Sequence, residues 1–234
     1  MTALTPNETV PTNTNLNTGN TMRGAGLILH PAAEPLGENL NPAGMWRSIC
    51  WAADRVALSG DLDTRSMQRA LEQLQAWVDA GITDIIDVRG EHSDERFVAR
   101  HAPHIRYHWF GTHDAGYAQP DAWFEQGVQA AREALADPTR KVMVHCHMGV
   151  NRGPSMGFAI LVSHGHDPIE VLEAIRAARP IAGIIYAEHA LDWWHRTQGT
   201  PETIAHSERR RVRNWLTDRY VDVSWVVSRI RRAS

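Results

Sequence analysis

The stretch Lys141-Val142-Met143-Val144-His145-Cys146-His147-Met148-Gly149-Val150-Asn151-Arg152-Gly153-Pro154 decides the fold of this 234-residue chain. Residues 141–145 read as a short apolar strand, too brief for a helix. Residues 146–153 form the loop that follows, and Pro154 stands where the first turn of a helix tolerates proline. In such a junction backbone N–H groups turn inward, and the helix aims its positive end at them. The result is an anion cradle. Gly149 lets the backbone turn where a side chain would obstruct, and Arg152 offers its planar fork to two oxygens of one anion. The same groups favour a thiolate at Cys146, lowering its pKa from about 8.5 toward values where it is ionised at neutral pH. Cys146 is thereby a candidate nucleophile.

Outward from this loop, strand-like and helix-like segments alternate. Residues 55–60, 82–88 and 105–110 read as strands. Met67, Leu71, Leu74 and Val78 recur at spacings of four, three and four, an amphipathic stripe closed by Gly81. Pro120-Asp121 opens a second helix with Asp121 as N-cap and with Phe124, Val128, Ala131 and Leu135 on one face. A third follows Pro154 and stops near Gly165. Asp167-Pro168-Ile169-Glu170 supplies the cap, first-turn proline and acidic N3 residue of a fourth, and residues 187–197 read as a further helix. Alternation of this kind implies an α/β domain with a mainly parallel central sheet flanked by helices. In such sheets ligands bind beyond the carboxyl ends of the strands, where the loop from Cys146 lies.

Composition narrows the class. Apolar residues make up 43% of the chain, and 24 Lys+Arg face 27 Asp+Glu, an ordinary globular balance. No window approaches the roughly 18 uncharged apolar residues of a membrane span. The Thr/Asn-rich first 20 residues have neither the basic start nor the apolar core of a secretory signal, so a cytoplasmic location is expected. Two cysteines exclude a disulfide framework and a Cys-based zinc site, and Cys50 reads as a packing residue. Among 13 histidines, His101, His104, His108 and His113 match no metal-ligand spacing, so neither a metal nor another cofactor is implied.

Residues 1–40 are too poor in large apolar side chains to offset their ordering entropy and read as a disordered arm, with Leu27-Ile28-Leu29 docking locally. Charge is unevenly spread: residues 206–234 carry +5, which leaves −8 for the rest. There Val212, Leu216, Tyr220, Val223, Val227 and Ile230 form the seam of a basic amphipathic helix. That helix suits docking on the domain or a second chain, and its arginines suit RNA.

His145-Cys146, then five residues, then Arg152, at a strand-loop-helix junction, resembles the signature of the cysteine-dependent phosphatases. Over roughly residues 45–200 the chain resembles the dual-specificity branch of the protein tyrosine phosphatases. The resemblance implies hydrolysis of phosphate monoesters, phosphotyrosine and phosphoserine/threonine in proteins, through a phosphocysteine intermediate. It implies Cys146 as nucleophile, Arg152 as the phosphate-binding arginine, and an Asp after the preceding strand as general acid. Asp114 lies 32 positions before Cys146, where that branch places it. Asp121, 25 positions before, follows Pro120 in a pair superficially similar to the Trp-Pro-Asp loop of larger tyrosine phosphatases, but its cap position gives it a structural task. Residues His147, Met148, Gly149, Val150 and Asn151 would surround the phosphate, and His145 would hold the loop backbone through hydrogen bonds.

The sequence departs from the family at Gly153, where a Ser or Thr hydroxyl usually helps the thiolate leave, with Ser155 two residues on. The departure bears on turnover and leaves a low-turnover phosphate-binding module as an alternative, beside RNA 5′-phosphate removal using the basic tail. The absence of Lys between Cys146 and Arg152 weighs against multiply phosphorylated lipid headgroups.

Overall fold

The structure, a computed structural model, describes residues 26–30 and 40–233. Along the chain the strands are β1 (Cys50–Ala53), β2 (Val56–Ser59), β3 (Asp84–Arg89), β4 (Arg106–Thr112) and β5 (Val142–His145). They make one sheet in the order β1-β2-β5-β3-β4. The β1–β2 pair is antiparallel, and every other pairing is parallel. β5 is central: Val142 lies opposite Val56 and Asp84, and His145 opposite Ser59 and Asp87. The parallel strands therefore end together, and the loop from Cys146 starts in the middle of that edge.

The helices are α1 (Pro42–Met45), α2 (Met67–Asp79), α3 (Glu95–His101), α4 (Asp121–Leu135), α5 (Arg152–Ser163), α6 (Pro168–Ala178), α7 (Ala187–Gln198), α8 (Glu202–Asp218) and α9 (Val223–Ala233). Side chains on β5 alternate between the two faces. Val142 and Val144 join Leu58, Phe124, Phe158, Leu161 and Tyr186 in the larger core, while Met143 joins Leu74, Trp77, Ile85 and Val98 under α2 and α3. Every residue of α5 is buried, as a helix enclosed by the sheet and neighbouring helices must be. The helix behind the anion cradle is thus the least displaceable one.

Several expectations are refined. β1, α1 and α3 carry too short a pattern to be read from sequence. In α2 the buried face is Ala70, Leu74 and Trp77, whereas Met67 and Leu71 are 60% and 37% exposed. The large Trp77 ring, which reaches His145, outweighs the aliphatic stripe. Pro120, not Asp121, holds the N-cap of α4. Asp121 is the first helical residue, and its exposed carboxylate pairs with Arg196 at 2.6 Å. Leu27 is buried and Leu29 bridges to Ala53, as expected, whereas Ile28 is exposed; residues 1–25 and 31–39 of the N-terminal arm lie outside the described residues.

The C-terminal seam divides into α8 and α9, with Arg219 ending α8 and Tyr220 76% exposed between them. Val212 and Trp215 of α8 bury against the larger core. Three of its arginines are held by acids of the body, Arg209 by Asp192, Arg211 by Asp167 at 2.9 Å and Arg213 by Glu188 at 2.6 Å, and Arg209 also pairs with Glu202 of the same helix. Among the described residues no helix is long and apolar enough to cross a membrane.

Candidate active site

The carboxyl ends of β2, β3, β4 and β5 bring Asp61, Glu91, Asp114 and Cys146 to one edge. Cys146 is buried at the base of the loop. Gly149 adopts φ +62°, the left-handed region, and a Cβ there would lie 2.5 Å from the Ser59 carbonyl oxygen. Only glycine lets the loop close this tightly. Burial pushes the Cys146 thiol up from its ordinary value; Arg152 and the N–H groups of Gly153 and Gly149 pull it down, and Asp114 adds to the rise. The lowering expected from sequence is therefore overcome in this arrangement by the depth of the sulfur. Glu91 and Asp114 also draw on the charge of Arg152.

Arg152 is the first residue of α5. Its Nη1 donates to Glu91 Oε2 at 2.8 Å and to the Thr112 carbonyl at 2.8 Å, and its Nη2 donates to Glu91 Oε1 at 2.7 Å. Its buried Nε has no hydrogen-bond partner among the described residues, with Asp114 Oδ2 at 3.5 Å as the nearest anion. The side edge of the guanidinium, Nε with Nη2, is the edge left for an anion in the loop.

Asp114 faces this edge. Its Oδ1 accepts from Asn151 Nδ2 at 2.7 Å and from the Tyr186 hydroxyl at 2.8 Å. Asp121 is on the surface pair with Arg196 and stands apart from this cluster. Of the residues expected around the phosphate, Asn151 is buried with its side chain committed: besides Asp114, its Oδ1 accepts from the Ile185 N–H at 2.7 Å and from Ser155. Asn151 is thus a strut between loop, acid and α7. Val150 is buried against Ile181 and α9. His147 and Met148 remain partly exposed.

His145 departs from expectation, since neither ring nitrogen has a hydrogen-bond partner among the described residues, and the Asp87 carboxylate is 3.9 Å away. Burial holds its pKa down, so the ring packs neutral against Trp77. Ser155 accepts from the Tyr186 N–H and donates to Asn151 instead of serving the sulfur. A Cβ at Gly153 would meet Cys146 N at 3.2 Å, so the loop base leaves little room for the missing hydroxyl.

Residues that sequence reading missed do the holding. Buried Arg179 donates to the carbonyls of Gly149 at 2.5 Å and Met148 at 3.1 Å, and to those of Trp46 and Ser48. Fully buried Arg89 pairs with Asp87, Asp94 and Asp61. Asp61 in turn holds His147 twice, by its backbone N–H on the His147 carbonyl at 2.9 Å and by its carboxylate on Nδ1 at 2.6 Å. Burial would raise the Asp61 pKa, but His147, Arg89 and Arg47 hold it below the ordinary range. Such buried networks are costly to break, because removing one partner leaves an uncompensated charge. The local signal for Arg89, an alternation Asp87-Val88-Arg89 at the end of a buried strand, is weak without the partners.

The fold and the loop together define a tyrosine-phosphatase-like α/β domain. Within that class the chain is similar to the dual-specificity phosphatases. The dual specificity protein phosphatases 26 of Homo sapiens and Rattus norvegicus are each 29% identical to it over 144 residues, 59% of this chain and 64% of theirs. The chain thus spans under two thirds of the length of these relatives. Among solved structures, human DUSP28 superposes with a TM-score of 0.53 at 18% identity, covering 64% of this chain and 95% of that one. A mouse putative dual specificity phosphatase complexed with zinc tungstate gives 0.52 at 20% identity, covering 71% and 97%. At these identities the structural likeness is one of fold. No protein-family model matches the sequence.

Proposed function

We propose that the protein is a cysteine-dependent phosphatase that hydrolyses phosphate monoesters, with phosphotyrosine and phosphoserine/threonine in proteins as its substrates. The observation that carries this reading is the convergence of a buried Cys146, the unpartnered Nε edge of Arg152 and the Asp114 carboxylate on one loop. The phosphoryl oxygens lie on the loop N–H groups and on Nε and Nη2 of Arg152. The Cys146 thiol first loses its proton and the Asp114 carboxylate takes one up, with water as the carrier; the thiolate then forms a bond to phosphorus as the ester oxygen leaves with the proton of Asp114. Water then attacks the phosphocysteine, gives its proton to Asp114, and releases inorganic phosphate and the thiolate. Asp114 gives one proton to the ester oxygen and regains one from water, and no metal or cofactor is invoked.

A cytoplasmic location is part of this proposal, supported by two free cysteines, which suit a reducing compartment. RNA 5′-phosphate removal through the tail is the weaker reading, because three of the four arginines of α8, Arg209, Arg211 and Arg213, are paired with Asp167, Glu188, Asp192 and Glu202. The pairs with Asp167, Glu188 and Asp192 tie α8 to its own domain and so supply no argument for a homodimer contact. A low-turnover phosphate-binding role keeps one specific observation, the crowded Gly153 without a hydroxyl.

The test is hydrolysis of a small aryl phosphate in the presence of a chelator. Turnover with inhibition by vanadate, abolished in Cys146→Ser while phosphate-ligand binding persists, supports the reading. Full activity in Cys146→Ser rejects it, and binding without turnover in the wild-type protein favours the module.

A further inference from the structure

The loop that carries Asp114 is exposed over residues 113–118, yet the carboxylate is held from the protein side. The segment before α7 runs along the catalytic loop: the Gly183 N–H donates to the Val150 carbonyl at 2.7 Å, the Ile185 N–H to Asn151 Oδ1 at 2.7 Å and the Tyr186 N–H to Ser155 Oγ at 3.2 Å. Between these bonds fully buried Ile184 adopts φ +55°, a region that a β-branched residue enters only where its surroundings force it. Strain of this kind gathers at functional sites. The strained segment delivers the buried Tyr186 ring to the acid, with Trp123 edge-on to it and His189 stacked over it.

The Tyr186 oxygen accepts from the Gly116 N–H at 3.1 Å, so its own proton points to Asp114 Oδ1 at 2.8 Å. Burial pushes the Tyr186 hydroxyl up, and the bond to Asp114 adds to the rise against the pull of the Gly116 N–H, so the hydroxyl keeps its proton. Asn151 Nδ2, which can only donate, reaches the same Oδ1 at 2.7 Å. An oxygen that accepts twice is the carbonyl oxygen of protonated Asp114, which puts the acidic hydrogen on Oδ2. That oxygen lies 3.5 Å from Arg152 Nε, on the side where the phosphate is bound.

We propose that Tyr186, with Asn151, is a positioning residue that decides which oxygen of Asp114 carries the transferable proton, a role that rests on the phosphatase reading and deepens it. The O–H bond at Oδ2 breaks as its proton passes to the departing ester oxygen, and the electron pair stays on the carboxylate. The same oxygen takes a proton back from the water that attacks the phosphocysteine. Without the Tyr186 hydroxyl, Oδ1 competes for that proton, and the exposed loop loses its hold at both Asp114 and Gly116.

The test is steady-state kinetics of full-length wild type, Tyr186→Phe, Asp114→Asn and the double variant on phenyl phosphate and p-nitrophenyl phosphate, with inorganic phosphate as inhibitor. In Tyr186→Phe, kcat should fall roughly ten-fold on phenyl phosphate, the scale of one hydrogen bond to a charged group. The fall should be less than about two-fold on p-nitrophenyl phosphate, whose leaving group needs little protonation. Phosphate inhibition should stay within about two-fold, a constancy that a general loosening of the loop would not allow. Added to Asp114→Asn, Tyr186→Phe should cost nothing further. A second measurement needs no Tyr186 variant: the wild type should show a downfield, slowly exchanging tyrosine hydroxyl proton by NMR that moves in Asp114→Asn. Equal losses on both esters, full activity on phenyl phosphate, a loss that multiplies with that of Asp114→Asn, or no such proton overturns the inference and leaves the phosphatase reading standing. No turnover in the wild type rejects the phosphatase reading, and the inference with it.

Discussion

Glu91 grips the guanidinium of Arg152 end-on, with one carboxylate oxygen on each Nη, and leaves Nε buried without a hydrogen-bond partner among the described residues. An arginine fork can bind one carboxylate across its end and another anion along its side. Glu91 therefore aims the free edge into the loop. The Arg152 side chain holds its proton firmly, since Glu91 outweighs the effect of burial.

Glu91→Gln is expected to weaken phosphate and vanadate binding roughly five-fold, about 1 kcal/mol for a half-exposed ion pair, through loss of aim. Inhibition constants against an aryl phosphate check this. Tighter binding in the variant would mean that Glu91 competes with the substrate for Arg152.

At Gly149 the backbone and the space agree. Gly149→Ala places a side chain at φ +62° against Ser59 and Arg179. The expected cost is about 2 kcal/mol or more, with a fall in Tm of roughly 4–8 °C, and kcat/KM should drop at least about ten-fold as the N–H groups lose their aim. Thermal unfolding and steady-state kinetics on the same preparation measure both.

Asp114 and Asp121 are separable by leaving group. Asp114→Asn should lower kcat by roughly 100-fold on phenyl phosphate, the scale of general-acid catalysis, but much less on an aryl phosphate whose phenolate needs no proton. It should also erase the acidic-group dependence of the pH profile. Asp121→Asn should leave both substrates within about two-fold, because its pair with Arg196 is exposed.

The central sheet has an acid-sensitive clamp at Asp84. Burial alone would raise its pKa, but His108, Thr83 and Arg140 lower it to about 2. A depressed folded-state value contributes stability that is complete above the unfolded value near 4 and is lost as the pH falls through 2. The contribution is about 2 kcal/mol. Arg140→Ala should therefore be less stable than wild type at pH 6, with the difference closing between pH 4 and 2. Denaturant titrations across that range test the sign.

The sequence made legible what local chemistry dictates. β5, the Cys146 loop and the N1 proline of α6 follow from short-range pattern, as does the apolar face of α4, whereas the distance that favours Asp114 over Asp121 has meaning only through the family resemblance. Partners distant in sequence were not legible. Glu91, Asp61, Arg89, Arg179 and Tyr186 meet the loop only because parallel strands end side by side, and an isolated charged residue carries no mark of its partner. The C-terminal seam failed for a related reason: its period runs on past Arg219, but α8 and α9 bury against different parts of the domain. At His145 the hydrogen bonds implied by family resemblance are replaced by packing against Trp77.

The most direct measurement is the covalent intermediate. Protein mixed with an aryl phosphate, quenched in acid within its first turnovers and digested should carry one phosphoryl group on the peptide containing Cys146. The phosphoryl group should be absent from Cys146→Ser and should accumulate when Asp114→Asn slows the water step. Turnover with no phosphoryl group on Cys146, or with one on another residue, would contradict the account.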